Sequence, residues 1–311
     1  MHIVFLDADT IGKDIALTPL ESFGSLKIYS TTLLHETADR IKSADIVITN
    51  KVPIGQAEMD AAPSLKLICV TATGTNNIDT NYASAKGITV KNVSGYSTES
   101  VVQTTFANIL SLLNHTAYFD QYVKSSAYST SMMFTHYGQT FWELAGKRFG
   151  IIGMGNIGKR VAEVATAFGA EVVYYSTSGN NSSAPYRRLE LDELMRTCDI
   201  ISIHAPLNEQ TKDLIKLDKL KLMKPAAIIA NMGRGGIINE QDLAKAIDEN
   251  YLGGAVVDVY EQEPLPAHHP YLSVKNKIKF QFTPHLAWGS AEARKRLIEL
   301  TAKNIEDFLS R

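Results

Sequence analysis

The chain carries almost no excess of charge: 31 Lys and Arg stand against 33 Asp and Glu, for a formal net charge of −2. Nucleic acid and anionic membrane surfaces need a concentrated positive field, and no lysine-rich run supplies one here. Cysteine is scarce too. Cys69 and Cys198 both sit in apolar, strand-like segments (KLICV and TCDIISI), which reads as two buried thiols in a reducing compartment and not as a disulfide. No apolar stretch approaches the length of a bilayer span. The N-terminus, MHIVFLD, has no basic region ahead of its apolar residues, so no leader is expected and the protein is expected to be cytoplasmic. No metal site is expected. With 45% hydrophobic and 21% charged residues in 311, disorder is not expected either, and two domains of ordinary size fit.

The strongest signal is Phe149 to Gly158, FGIIGMGNIG. Phe149, Ile151 and Ile152 read as a strand buried on both faces, and Gly153, Gly155 and Gly158 follow it in G-x-G-x-x-G spacing. The first glycine serves the tight turn, the second lets backbone approach a pyrophosphate, and the third packs helix on strand. The amides of residues 156–158 then open a helix whose positive end faces phosphate. Strand before and helix after mark a dinucleotide site.

Around it, two α/β units are legible. Before it, HIVFL, LKIYS, DIVIT, KLICV and ITVKN recur as strands, with helices such as LLHETADRIKS between them, which predicts a parallel sheet. One long helix is predicted from about Thr98 to Val123, and a poorly periodic segment then leads to the glycine motif. After it, EVVYYS, DIISIHAP, AAIIANMG, AVVDVY and KFQFTPH complete six strands with FGIIG, the count of a two-halved dinucleotide fold. The last helix, SAEARKRLIELTAKNIEDFLS, is expected to return to the first domain. The expected fold class is thus α/β with two Rossmann-like parallel-sheet domains. The dinucleotide-binding domain, 99–289, is inserted in a discontinuous flavodoxin-like substrate domain, 1–98 and 290–311.

Three polar residues follow successive strands of the second unit: Arg234 in NMGRGG, Glu263 in DVYEQEPL and His285 in FTPHLAW. Parallel strands put them on one rim. Hydride transfer to a C2 carbonyl needs a cation for carboxylate and carbonyl oxygen, a proton donor, and a group keeping that donor charged. An arginine fork, an imidazole and a carboxylate beside the imidazole meet those needs. Each also has an ordinary alternative: a loop salt bridge, a helix N-terminal charge and a strand-end histidine.

From about Lys51 to its end the chain resembles the D-isomer-specific 2-hydroxyacid dehydrogenases. ELAGKRFGIIGMGNIG, HAPLNEQT, NMGRGGIINE, DVYEQEP and PHLAW carry the likeness, in family order and spacing. The resemblance implies that Arg234 binds and polarises a 2-oxo acid, His285 is the acid/base, and Glu263 orients and tunes it. For the cofactor, NAD(H) or NADP(H), it implies Gly153, Gly155, Asn156, Ile157, Gly158 and Ser176. It adds the loop His204 to Thr211, including Ala205 and Pro206, then the backbone of Met232, Gly233 and Arg234, then Asp258 at the nicotinamide carboxamide, and Thr104. TATGTNNID, YSTESVVQTTF and Trp288 are similar to glycerate dehydrogenases, also called hydroxypyruvate or glyoxylate reductases. On that likeness Gly74 and Thr75 hold the substrate carboxylate through backbone amides, and Lys51 and Trp288 are specificity contacts. Trp288 can equally be a packing aromatic. The family also implies a homodimer.

Two positions depart from the family pattern. Ser176 stands where NAD-preferring members carry an acid, with no arginine nearby until Arg187 and Arg188. Thr104 stands where close relatives tend to carry histidine. Glutamine at the Glu263 position would mark formate dehydrogenases, and a further regulatory domain would mark phosphoglycerate dehydrogenases. A D-lactate-type dehydrogenase and a dinucleotide-sensing corepressor-like binding protein remain open.

Overall fold

The computed structural model describes residues 1–179 and 185–310. It divides into two compact units: Met1–Ser97 with Trp288–Arg311, and Thr98–Ala287.

In the first unit, β1 (His2–Phe5), β2 (Ser25–Ile28), β3 (Ile46–Thr49), β4 (Leu67–Val70) and β5 (Thr89–Asn92) form one parallel sheet in the order 2-1-3-4-5, the flavodoxin-like arrangement. All residues of β3 and β4 are buried, because helices cover both faces of the sheet centre, so these strands read as unbroken apolar runs. Ile3, Phe5, Ile46 and Ile48 face one core with Leu297, Ile298 and Ile305 of the C-terminal helix Ala291–Leu309. Val4, Val47, Ile68 and Met59 fill the other. Ser290 caps the C-terminal helix, its Oγ accepting the Ala293 N–H at 3.2 Å.

Among the described residues the second unit holds seven parallel strands where the sequence suggests six: β6 (Arg148–Ile152), β7 (Glu171–Tyr175), β8 (Arg187–Arg188), β9 (Ile200–Ile203), β10 (Ile228–Asn231), β11 (Gly254–Val257) and β12 (Phe280–Phe282). Their order is 12-11-10-9-6-7-8, reversing direction of travel between β6 and β9. The strand missed by pattern is β8, two exposed arginines with no apolar residue to signal it. The single helix expected from Thr98 to Val123 is two, Thr98–Leu113 and Thr116–Lys124. His115 takes a left-handed backbone (φ 49°) between them, which no helix continues through. Apolar spacing persists across the break, so periodicity alone does not show it. Within the first of these helices Phe106 stacks on Phe149 of β6, ring centres 5.9 Å apart, fixing it beneath the glycine motif. Among the described residues no helix is long and apolar enough to cross a membrane.

Candidate active site

Strands β10, β11 and β12 are adjacent and parallel, with Asn231 opposite Val257 and Val257 opposite Phe282. The segments leaving their C-terminal ends therefore start from one edge of the sheet, and these segments carry Arg234, Glu263 and His285. Two of the three touch. His285 Nδ1 lies 2.7 Å from Glu263 Oε2, both side chains partly exposed, and the other Glu263 oxygen accepts the Tyr260 N–H at 3.0 Å. His285 itself sits at φ 50°, in left-handed backbone that costs a non-glycine residue energy.

Asp258 holds that conformation in place. Its backbone oxygen accepts the His285 N–H at 2.7 Å, and its buried carboxylate accepts the Leu286 and Ala287 N–H groups at 2.8 and 3.1 Å and the Thr283 hydroxyl at 2.7 Å. The residue that the family likeness assigns to the cofactor thus also frames the histidine segment on both sides.

The Arg234 turn is built by Asn231. The Asn231 Nδ2 donates to the Arg234 carbonyl at 2.9 Å, its Oδ1 accepts the Gly233 N–H at 3.2 Å, and Arg234 Nη1 donates to the Gly233 carbonyl at 2.8 Å. Gly235 lies so close to the next loop that a Cβ there would collide with the backbone of Tyr260 and Glu261. That loop is itself tied down by Glu240, which accepts the Glu261 N–H at 2.8 Å and stands 2.6 Å from His269 Nε2. Asn231, Gly235, Glu240, His269 and Thr283 escape the sequence reading. Asn231 and Gly235 lie inside NMGRGG and carry a visible signal; the other three are contacts made only by the fold.

At the end of β6 the glycines behave as their spacing implies. Gly153 has φ 95°, and a Cβ on Gly158 would meet the Gly153 carbonyl, so only glycine lets the helix Asn156–Ala167 seat against the strand. A Cβ on Gly155 would meet nothing within 4 Å, leaving the helix N-terminus open to an anion, with Asn156 exposed and Ile157 half-buried. Among the described residues, two buried polar atoms near these strand ends lack partners: Ser176 Oγ just past β7 and His204 Nδ1 just past β9. The other ring nitrogen of His204 meets Ser202 Oγ at 2.8 Å, and burial pushes the imidazole down to a pKa of about 3, so it is neutral. An open helix terminus with orphaned polar atoms beside it fits a dinucleotide, which these residues would hold. Ala205, Met232 and Gly233 are buried, Pro206 is exposed and Thr104 is half-buried. The Thr211 hydroxyl donates to the Pro206 carbonyl at 2.7 Å and locks its own loop.

The remaining candidates belong to the first unit. Lys51 is exposed after β3, and Gly74 and Thr75 are half-buried in the turn after β4. Trp288 is partly buried against the first unit's core, edge-on to Tyr96 with ring centres 6.2 Å apart.

Residues 106–287 match the family described as D-isomer specific 2-hydroxyacid dehydrogenase, NAD binding domain. The chain is 36% identical over 315 residues to a hydroxypyruvate reductase of Blautia hydrogenotrophica, covering 99% of this chain and 97% of that one. Among solved structures it is similar to a D-lactate dehydrogenase from Aquifex aeolicus complexed with NAD and lactic acid, at TM-score 0.85 and 27% identity, covering 99% and 95% of the two chains. An acyclic imino acid reductase in complex with NADPH and D-Arg matches at TM-score 0.88 and 27% identity, covering 100% and 97%.

Proposed function

Because the chain belongs to the D-isomer specific 2-hydroxyacid dehydrogenase family, we propose that this NAD(P)-dependent oxidoreductase reduces hydroxypyruvate or glyoxylate, giving D-glycerate or glycolate. The observation carrying the site assignment is the 2.7 Å contact between His285 and Glu263 on the sheet edge that also bears Arg234. When bound, the nicotinamide supplies the hydride. The chain's own residues do the rest. Arg234 takes the substrate carboxylate and carbonyl oxygen with its guanidinium, which opposes the charge developing on that oxygen. His285, held by Glu263 through Nδ1, delivers a proton to the same oxygen. Asp258 keeps the histidine segment in register. Lys51, Gly74, Thr75 and Trp288 are the proposed substrate contacts of a substrate domain formed by the first unit. Thr104, Asn156, Ile157, Ser176, His204 to Thr211, Met232 and Asp258 are the proposed cofactor contacts of the second.

We also read the protein as a cytoplasmic homodimer. Free, buried Cys69 and Cys198, their thiols pushed up to about 12 by burial, suit a reducing compartment. The segment after the helix Thr116–Lys124 leaves Met132, Met133, Phe134, Tyr137 and Phe141 exposed, the residue types that subunit interfaces favour. Light scattering on the eluting protein reads the mass: a monomer at micromolar concentration would remove the dimer.

The activity is tested by mixing the protein with NADH or NADPH and hydroxypyruvate, glyoxylate, pyruvate or 2-oxobutyrate in turn. Loss of reduced-cofactor absorbance with the first two, at the highest kcat/KM of the panel, is expected. Preference for pyruvate would move the assignment to a D-lactate-type dehydrogenase, and no loss with any of the four would overturn it.

A further inference from the structure

Asp7 is the least explicable residue of the first unit. It is 4% exposed just past β1, and its carboxylate accepts the Asn50 N–H at 2.8 Å and the Lys51 N–H at 2.7 Å, with the Val52 N–H at 3.3 Å and the Thr49 hydroxyl at 3.5 Å. No cation is among these partners. Burial raises the Asp7 pKa even against those hydrogen bonds, so the fold keeps a carboxyl group where its surroundings disfavour the charged form. A strand end that needed only to terminate would be satisfied by a serine or an asparagine. What the carboxyl does instead is draw three successive amides around one acceptor group, giving the 50–52 loop a single shape.

That loop is in turn stitched to the turn after β4. Asn50 Nδ2 donates to the Thr71 carbonyl at 2.8 Å, Asn77 Nδ2 donates to the Val52 carbonyl at 3.1 Å, and the Ile54 N–H reaches the Asn77 carbonyl at 2.8 Å. One chain of contacts therefore runs from Asp7 through residues 50–54 to residues 71–77. These two loops carry Lys51, Gly74 and Thr75.

We infer that Asp7 is a positioning residue for the oxo acid, fixing both loops that receive it while touching neither substrate nor cofactor. The inference rests on the reading of Lys51, Gly74 and Thr75 as substrate contacts. It deepens that reading by placing the origin of their geometry at a residue some forty positions upstream of the first loop.

The test is Asp7→Asn, which keeps the shape and puts an N–H donor where a carboxyl oxygen accepts. Expected are a KM for hydroxypyruvate raised roughly tenfold or more, kcat changed by less than about threefold, and an unaltered NADH dissociation constant by fluorescence titration. Amide exchange should quicken in both 50–52 and 71–77. Ile305→Ala, on the buried face of the C-terminal helix in the same unit, is the control for lost stability, and at equal loss of Tm its KM should stay near wild type. A KM for Asp7→Asn within twofold of wild type, or no higher than that of the control, overturns the inference. Should Asp7→Asn fail to fold, Asn50→Ala cuts the link to Thr71 alone: a raised KM with faster exchange in 71–77 supports the inference, and no change in either overturns it. A wild type that reduces none of the oxo acids would sink the proposed activity, and the exchange data on Asp7→Asn or Asn50→Ala would still decide whether Asp7 fixes the two loops.

Discussion

His285 Nδ1 stands 2.7 Å from Glu263 Oε2, across 22 residues of sequence and two neighbouring strand ends. A carboxylate only accepts, so Nδ1 carries the hydrogen and Nε2 is left as the nitrogen that would exchange a proton with substrate in the proposed reaction. The second Glu263 oxygen is held by the Tyr260 N–H, which stops the carboxylate from rotating away. The pair is thus oriented from both ends, the condition under which an imidazole acts as a general acid.

From this pair, His285→Ala should lower kcat by roughly two to four orders of magnitude while leaving the NADH dissociation constant unchanged. Glu263→Gln keeps the shape but permits the wrong tautomer, and a fall of at least roughly tenfold in kcat is expected. Single-turnover reduction of hydroxypyruvate under saturating NADH measures both. Wild-type turnover in His285→Ala would remove the histidine from the chemistry.

Gly235 gives a second prediction because its Cβ would have no room against the Tyr260–Glu261 backbone. Gly235→Ala must push the Arg234 turn away from the loop that carries Glu263, and overpacking of this kind costs about 1–3 kcal/mol. The expected result is a Tm lower by several degrees and a kcat/KM at least roughly tenfold lower, with the larger share in kcat. A fully active, equally stable variant would mean that the two loops move independently.

What the sequence made legible, and what it hid, follows the range of the interactions. Buried strands such as β10 and β6 after Arg148 announce themselves because their residues answer to the same demand, burial on both faces, and the glycines after β6 answer to a local turn. Strand β8 does not, since two arginines on a sheet edge have only backbone pairing to define them. That Arg234, Glu263 and His285 follow adjacent parallel strands is legible from strand-end position. Asp7, Glu240 and Thr283 are not legible, because their roles exist only through backbone groups tens of residues away. The break at His115 shows the converse limit: apolar period survives where the helix does not.

A third prediction concerns acid. His204 is neutral in the folded protein with a pKa of about 3, against an ordinary value of 6.5, because burial disfavours its charge and its Nδ1, shielded from solvent, has no partner among the described residues. Between those two values the unfolded chain binds the proton and the folded one does not. The contribution is therefore fully present above pH 6.5 and is lost as pH falls toward 3, by up to about 1.4 kcal/mol per pH unit. Asp7, raised by burial, acts with the opposite sign, so the comparison must cancel it. Denaturant unfolding of wild type and His204→Gln from pH 7 to 4.5 does so: the free-energy difference, wild type minus variant, should fall with pH. A difference that stays level would show that His204 takes up its proton without unfolding.

We predict that cofactor choice is decided at the end of β7. A carboxylate there would grip the ribose 2'-hydroxyl and repel a 2'-phosphate, and the chain has Ser176 instead, buried, its Oγ without a partner among the described residues. The structure adds what the sequence order obscures. Pairing of Tyr174 with Arg188 brings that arginine alongside β7, and its Nη1 donates to the Gly179 carbonyl at 2.8 Å, within the turn that Ser176 begins. Arg187, by contrast, is paired with Glu193 at 3.1 Å. Absence of the acid removes repulsion, and Arg188 offers a cation for a phosphate, so both NADH and NADPH should serve. Arg188→Ala should then cost NADPH roughly tenfold in kcat/KM and NADH little, the scale of one charge-assisted contact, whereas Arg187→Ala should leave the ratio alone. Ser176→Asp should move the ratio toward NADH by a similar factor, at some loss of stability because the new carboxylate enters a buried position. Steady-state kinetics with both cofactors on the three variants settles the assignment: a wild type blind to NADPH, or a ratio untouched by Arg188→Ala, would place discrimination elsewhere in the domain.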